Sequence, residues 1–238
     1  MVIELSEIKE ENIMEWTYLS HKLSNDTPLY NGSGQIVIDQ YRKISLGDSC
    51  SSTRISLPVH TGSHIDAPAH FDELGRTIDE YDADFWITKN PALILISLDP
   101  GSLISLNMVI NDLEVLSKST DIILFKTGAE KWRGDGTERY TKMGIGLDVD
   151  LCHWIRNNLN LKFIGLDSIS LSSPMHREIG RAAHKALLSS RDSDSNPVLI
   201  IEDLSLDSLR KPPKSIIAIP LQIEDADGAM ATVLANID

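Results

Sequence analysis

Four residues within one short stretch can do chemistry together. His60, His64, Asp66 and His70 lie in the segment Leu57–Glu73, LPVHTGSHIDAPAHFDE. Imidazole and carboxylate are common ligands of divalent cations, and imidazole also carries protons near neutral pH. The spacing is not that of a His-Glu-x-x-His helix, because Gly62 and Pro68 oppose a continuous helix. On a helix, Asp66 would also point away from His60 and His64. An extended chain suits the pattern better. All four positions are even-numbered, and side chains two apart share a face of a strand. Gly62 leaves open space between the first two side chains. Around them the segment is apolar (Ile55, Leu57, Val59, Ile65, Phe71). Burying three imidazoles and a carboxylate there without a ligand is costly. The plainer reading, a polar loop with hydrogen-bonded histidines, suits a lone His better than this group.

The elements that must hold this segment are legible in outline. Apolar runs at Arg54–Pro58, Ala92–Leu98, Ile122–Lys126, Lys162–Asp167, Val198–Glu202, Ser215–Leu221 and Ala231–Ala235 read as strands. Several are apolar on both faces, as in strands buried between layers. Helical spacing predicts helices over 105–117, over 148–158 behind the N-cap Asp148, and over 176–189. Strands and helices alternate in the second half, which points to an α/β fold. The first 60 residues are looser and more β-like. Thr127–Gly146, with its five glycines, reads as a long surface loop, and Ser189–Pro197 as exposed.

The chain has 238 residues with no visible repeat or low-complexity linker, so a single domain spanning 1–238 is expected. Net charge is −13, which disfavours nucleic acid as a partner. Two cysteines, Cys50 and Cys152, imply no disulfide framework. The acidic N-terminus does not read as a signal peptide, and no apolar run is long enough to cross a bilayer. A cytoplasmic location without membrane partners is the expectation.

The run His60-Thr61-Gly62-Ser63-His64-Ile65-Asp66-Ala67-Pro68-Ala69-His70 resembles the signature His-x-Gly-Thr-His-x-Asp-x-Pro-x-His. That signature belongs to the bacterial kynurenine formamidase and putative cyclase family, which includes isatin hydrolases. Ser63 replaces Thr and keeps a hydroxyl. Further similarity lies in Leu19–Leu23, Thr27–Gly32, Ile164–Ser168, His184–Leu188 and Ile201–Leu204.

The resemblance implies an α/β, cyclase-like swivelling β/β/α domain, a homo-oligomer and a small-molecule substrate. It implies a divalent metal, zinc or manganese, in one or two ions per chain. His60, His64 and Asp66 would hold one ion, and Asp66 would bridge to a second held by His184 and Glu202. His70 matches the proton carrier, and Tyr30 stands where the family contacts substrate, although Tyr30-Asn31-Gly32 replaces its Trp-Pro-Gly turn. The activity implied is hydrolysis of a carbon–nitrogen amide bond, in an aryl formamide such as N-formylkynurenine or in a cyclic amide. Two ions sharing a carboxylate can activate water and polarise a carbonyl together. Biosynthetic cyclisation or dehydration, and a silent metal-binding protein, are the alternatives.

Other signals are weaker. Lys131, Trp132 and Arg133 offer a ring and cations to an aromatic acid, with a solvated loop as the plainer reading. Gly47-Asp48-Ser49 resembles an esterase nucleophile but lacks its downstream histidine, and Arg133-Gly134-Asp135 is an adhesion tripeptide by spelling only. His21, His153 and His176 have no evident partners in the sequence.

Overall fold

Short apolar runs bounded by turn residues form the strands of this protein, and the computed structural model describes residues 15–134, 138–190 and 195–237. The strands are β1 Trp16–Tyr18, β2 Val37–Arg42, β3 Ser52–Ser56, β4 His64–Asp66, β5 Ile87–Thr88, β6 Pro91–Leu95 and β7 Leu103–Ile104. They continue with β8 Ile122–Lys126, β9 Gly146–Leu147, β10 Phe163–Leu166, β11 Leu199–Glu202, β12 Ser215–Pro220 and β13 Gly228–Asn236. The helices are α1 Leu106–Glu114, α2 Glu138–Thr141, α3 Val149–Asn158 and α4 Arg177–Leu188.

One nine-stranded sheet runs β5-β12-β13-β4-β11-β10-β8-β6, with β1 also paired to β13. The β6, β8, β10 and β11 ladders are parallel, and the rest are antiparallel. Pairing of β1 with β13 joins the two ends of the described chain. The β2–β3 hairpin and the β7–β9 pair stand outside this sheet.

The sheet has a core on each face. In β8, Ile123 and Phe125 pack with α1, α3 and α4, while Ile122 and Leu124 face the opposite side with Trp86 and Phe163. In β11, Ile200 and Ile201 divide the same way. Alternation of this kind explains why these strands read as continuous apolar runs. Asp148 caps α3, its side chain accepting a bond of 2.7 Å from the Val149 amide. Arg156 of α3 is buried, and its guanidinium donates to the carbonyls of Ala186 and Leu187 at the end of α4 and to Ser195. That side chain therefore reaches two acceptors at the helix end, of which Leu187 also receives the Val198 amide at 2.9 Å.

Three expectations need correction. Thr127–Gly146 is not simply a surface loop. It carries a 3-10 turn at Ala129–Trp132 and α2, and it buries Trp132, Tyr140 and Ile145 in the core. Residues 135–137 within it, and so the end of the Arg-Gly-Asp tripeptide, lie outside the described residues. In Ser189–Pro197, Ser189 is buried and, with Ser190, bonds Asp72; residues 191–194 lie outside the description. His176 also has a partner, the Gly101 carbonyl at 3.1 Å. The cause is shared: tertiary contacts recruit polar, glycine-rich chain that carries no periodic signal. No helix among the described residues is long and apolar enough to cross a membrane.

Replacing Arg156 tests the helix-end role. Arg156→Leu removes the guanidinium donor from the buried Ala186 carbonyl, and a loss of about 2 kcal/mol in unfolding free energy is expected. Urea denaturation reads it; an unchanged midpoint would remove Arg156 from the account of α4.

Candidate metal centre

Strand β4 is three residues long, yet it sits inside the sheet between β11 and β13. Its register sets His64 opposite Glu202 and Asp66 opposite Gly228. Directly paired residues share a face. His64, Asp66 and Glu202 therefore point to one side, the side on which α4 brings His184. The parity argument holds for His64 and Asp66 only. His60 reaches the group through a turn in which Gly62 has a positive φ of 64°, a region that favours glycine. His70 reaches it on a 3-10 turn, Pro68–His70.

Hydrogen bonds fix two of the imidazoles. Nδ1 of His64 lies 2.7 Å from the Gly62 carbonyl, and Nδ1 of His184 lies 2.7 Å from the Gly180 carbonyl. A carbonyl only accepts, so Nδ1 is the donor in each ring and Nε2 is turned to the centre. There Nε2 of His64 is 3.2 Å from Asp66 Oδ1 and 3.4 Å from Glu202 Oε2. Nε2 of His184 is 3.5 Å from Asp66 Oδ2 and 3.3 Å from Glu202 Oε1. Nδ1 of His60 is 2.7 Å from Asp66 Oδ1. Glu202 Oε1 is anchored by the Leu171 amide at 2.6 Å and the Ser170 hydroxyl at 3.0 Å.

The electrostatics demand positive charge. Burial disfavours a charged imidazole, yet Asp66 and Glu202 outweigh it and hold His184 up at about 10. Burial likewise opposes charge on His60, but Asp227 and Asp66 raise it to about 9. Burial would raise both carboxyls, and the neighbouring imidazoles keep Glu202 down at about 2 and Asp66 well below the usual range. A cation among neutral imidazoles meets the same demand.

The donors fit such a cation. His60, His64 and Asp66 each offer an atom within 4.8 Å of the others, and so do Asp66, His184 and Glu202. Asp66 belongs to both sets. Nitrogen and carboxylate donors without a thiolate suit zinc or manganese.

The centre lines one wall of a cleft of about 240 Å³. Tyr30, Pro28, Phe71 and Ile169 supply an apolar wall, and the Tyr30 hydroxyl lies 3.2 Å from Ser172 Oγ. His70 also lines the cleft, its ring 4.0 Å from that of His60. All seven sequence-derived site residues thus meet in one place.

Residues 17–173 match the family model described as "Putative cyclase". The chain belongs to this family. Cyclase-like protein 1 of Arabidopsis thaliana is 26% identical over 89% of this chain and 80% of its own. The kynurenine formamidase of Bacillus thuringiensis (strain Al Hakam) is 26% identical over 90% of this chain and 94% of its own. The fold is similar to that of an isatin hydrolase crystallised with the product analogue thioisatinate, with a TM-score of 0.75 and 20% identity over 93% of this chain and 92% of that one. The cyclase-family α/β fold is therefore the fold of this protein.

Within the family motif, the hydroxyl at Ser63 has structural work. It accepts from the His21 amide at 2.9 Å and donates to the Asp203 carbonyl at 2.6 Å. Asp203, next to Glu202, adopts a positive φ of 53°. Arg133 grips its carboxylate with two bonds of 2.8 and 2.9 Å, and Tyr140 donates to it as well. Arg133 is thereby committed to structure, and Trp132 is buried in the core, which corrects their reading as a cation and ring for substrate.

Sequence reasoning missed Asp227. Its Oδ2 accepts from His60 Nε2 at 2.9 Å and His70 Nδ1 at 2.8 Å, and these three form a further candidate donor set. Only the pairing of β13 with β4 brings it there, and one acidic residue in an acidic chain gave no signal. Next to it, Gly228 has a close-approach role: a Cβ would lie 2.5 Å from His60 Cε1. Gly228→Ala must displace the His60 ring and press on the Ile65 carbonyl of β4, 2.8 Å from the added Cβ. Affinity for zinc, measured by competition with a chelating dye, is expected to fall about tenfold or more. Unchanged affinity in a folded variant would show that neither the His60 ring nor β4 has to hold its place for the ion to bind, and would take His60 out of the donor set.

Proposed function

We propose that this protein is a divalent-metal-dependent amidohydrolase that opens a carbon–nitrogen amide bond in a small aryl formamide, such as N-formylkynurenine, or in a cyclic amide. The observation that carries the reading is the sharing of Asp66 between two donor sets, with His70 in the same cleft. The relatives named kynurenine formamidase and isatin hydrolase support the same class.

In this reading His60, His64 and Asp66 would hold one ion, and Asp66, His184 and Glu202 would hold a second. A divalent cation bound there supplies Lewis acidity toward a carbonyl oxygen and makes water easier to deprotonate. The chain supplies the proton path. Burial lowers the His70 pKa below its ordinary value, with Asp66 opposing, which favours the neutral ring. Asp227 holds Nδ1, leaving Nε2 to receive a proton. Water adds to the amide carbonyl carbon, its proton passes to His70, and the same proton is delivered to the nitrogen as the carbon–nitrogen bond breaks. Tyr30 and Phe71 form the wall against which an aryl ring stacks.

Metal analysis of the purified protein is expected to give two ions per chain, and Glu202→Gln to give one. Equal content in both proteins would remove Glu202 as a ligand. His70→Ala is expected to retain its metal while kcat on an aryl formamide falls about 100-fold or more. Full turnover by that variant would dispose of His70 as the proton carrier. Labelled oxygen from water must enter the acid product; its absence would favour cyclisation or dehydration over hydrolysis.

A further inference from the structure

Helix α4 brings more than His184 to the cleft. Arg177, Arg181 and His184 follow at i, i+4 and i+7, which is one face of a helix. Both arginines line the same cleft as the candidate centre. The chain carries 35 acidic residues against 22 basic ones, so two guanidiniums at one cleft run against the overall charge. The carboxylates that share the cleft are already engaged. Asp66 and Glu202 lie among the imidazoles, and Asp203 is gripped by Arg133 and Tyr140. The Arg177 side chain makes no hydrogen bond or ion pair with another described residue. Arg181 pairs with Glu178 at 3.1 Å, three residues away and well exposed. Pairs of that kind contribute only a few tenths of a kcal/mol and are given up cheaply.

We propose that Arg177 and Arg181 form an anion subsite, so that the substrate is an acid: an amide whose apolar body also carries a carboxylate. The proposal deepens the amidohydrolase reading and rests on it for the position of the scissile bond. Helix geometry sets the reach. At 1.5 Å per residue, Arg181 stands about 4.5 Å and Arg177 about 10 Å along the axis from His184. A substrate whose carboxylate and scissile carbonyl are roughly 5–10 Å apart matches these offsets. Between the two ends, Tyr30, Phe71 and Ile169 contact the apolar body. The cleft volume of about 240 Å³ lies under the roughly 300–1,000 Å³ of drug-sized sites, which suits a small substrate. A neutral bicyclic amide engages the apolar wall but leaves both guanidiniums unused.

Two pairs of probes test this in the zinc-loaded protein. Turnover is compared for para-formamidobenzoate and its neutral isostere para-formamidobenzamide. Binding is compared by calorimetry for para-aminobenzoate and para-aminobenzamide, which need no hydrolysis. A charge-assisted contact at an exposed site predicts a preference of about tenfold for each acid, equivalent to about 1.4 kcal/mol. In the double variant Arg177→Gln, Arg181→Gln both preferences are expected to fall to within about twofold, mainly through KM in the kinetic pair. A wild-type protein with no preference for the acid, or a double variant that keeps it, overturns the subsite. If neither formamide is turned over while the binding preference is present and arginine-dependent, the subsite stands and the amidohydrolase reading fails. If formamides are hydrolysed without a charge preference, the reverse holds.

Discussion

The structure turns on one buried carboxylate. Asp66 is 1% exposed and faces three imidazoles and a second carboxylate, Glu202, which is itself 3% exposed. Removing each ion from water costs several kcal/mol, and two like charges side by side add to the cost. Only positive charge between them compensates. Protonated histidines supply it in part, and a divalent cation supplies it with better geometry. In either state the centre couples charge to folding, because the groups that attract the cation are useful only when three separate segments meet.

Those segments are held by ordinary means. The short strand β4 occupies the middle of the sheet, and its pairing on both sides places Glu202 and Gly228 without any specialised loop. Helix α4 is tied down at its far end by Arg156 and places His184 against Phe71, ring on ring at 4.7 Å. Asp203 forms the buttress behind Glu202. Its positive φ is strained for a residue with a side chain, and the bonds from Arg133, Tyr140 and Ser63 over-determine it. That network accounts for the commitment of Arg133, a residue whose sequence context suggested solvent.

Much of this was legible in the sequence, because the signals were local. The strand at Ile122–Lys126 and the helix behind Asp148 follow from apolar spacing and a capping residue. The motif from His60 to His70 is a single stretch, so its residue types and parity could be read together. His184 and Glu202 are isolated residues, and only the resemblance to a family singled them out. Asp227 was invisible for a plain reason. It lies 157 positions from His70, and strand pairing alone brings the two within 2.8 Å. The same holds for Trp132 and Tyr140, which sit in glycine-rich chain with no periodicity and are buried by contacts from elsewhere.

Substrate choice follows different rules from the metal site, and this separates what a shared motif carries from what it does not. The donor atoms must meet a cation at fixed distances, so their residue types and spacing are tightly constrained. The walls of the cleft need only complement a ligand, and many side chains do so. Here the walls come from a turn at Tyr30, a 3-10 turn followed by Phe71, and the N-terminal part of the α4 face that carries His184. None of these is fixed by the centre, except that His184 sets the phase of α4. That one constraint is informative. Once the helix must present His184 inward, the positions one and two turns earlier face the cleft mouth, and in this chain both are arginine.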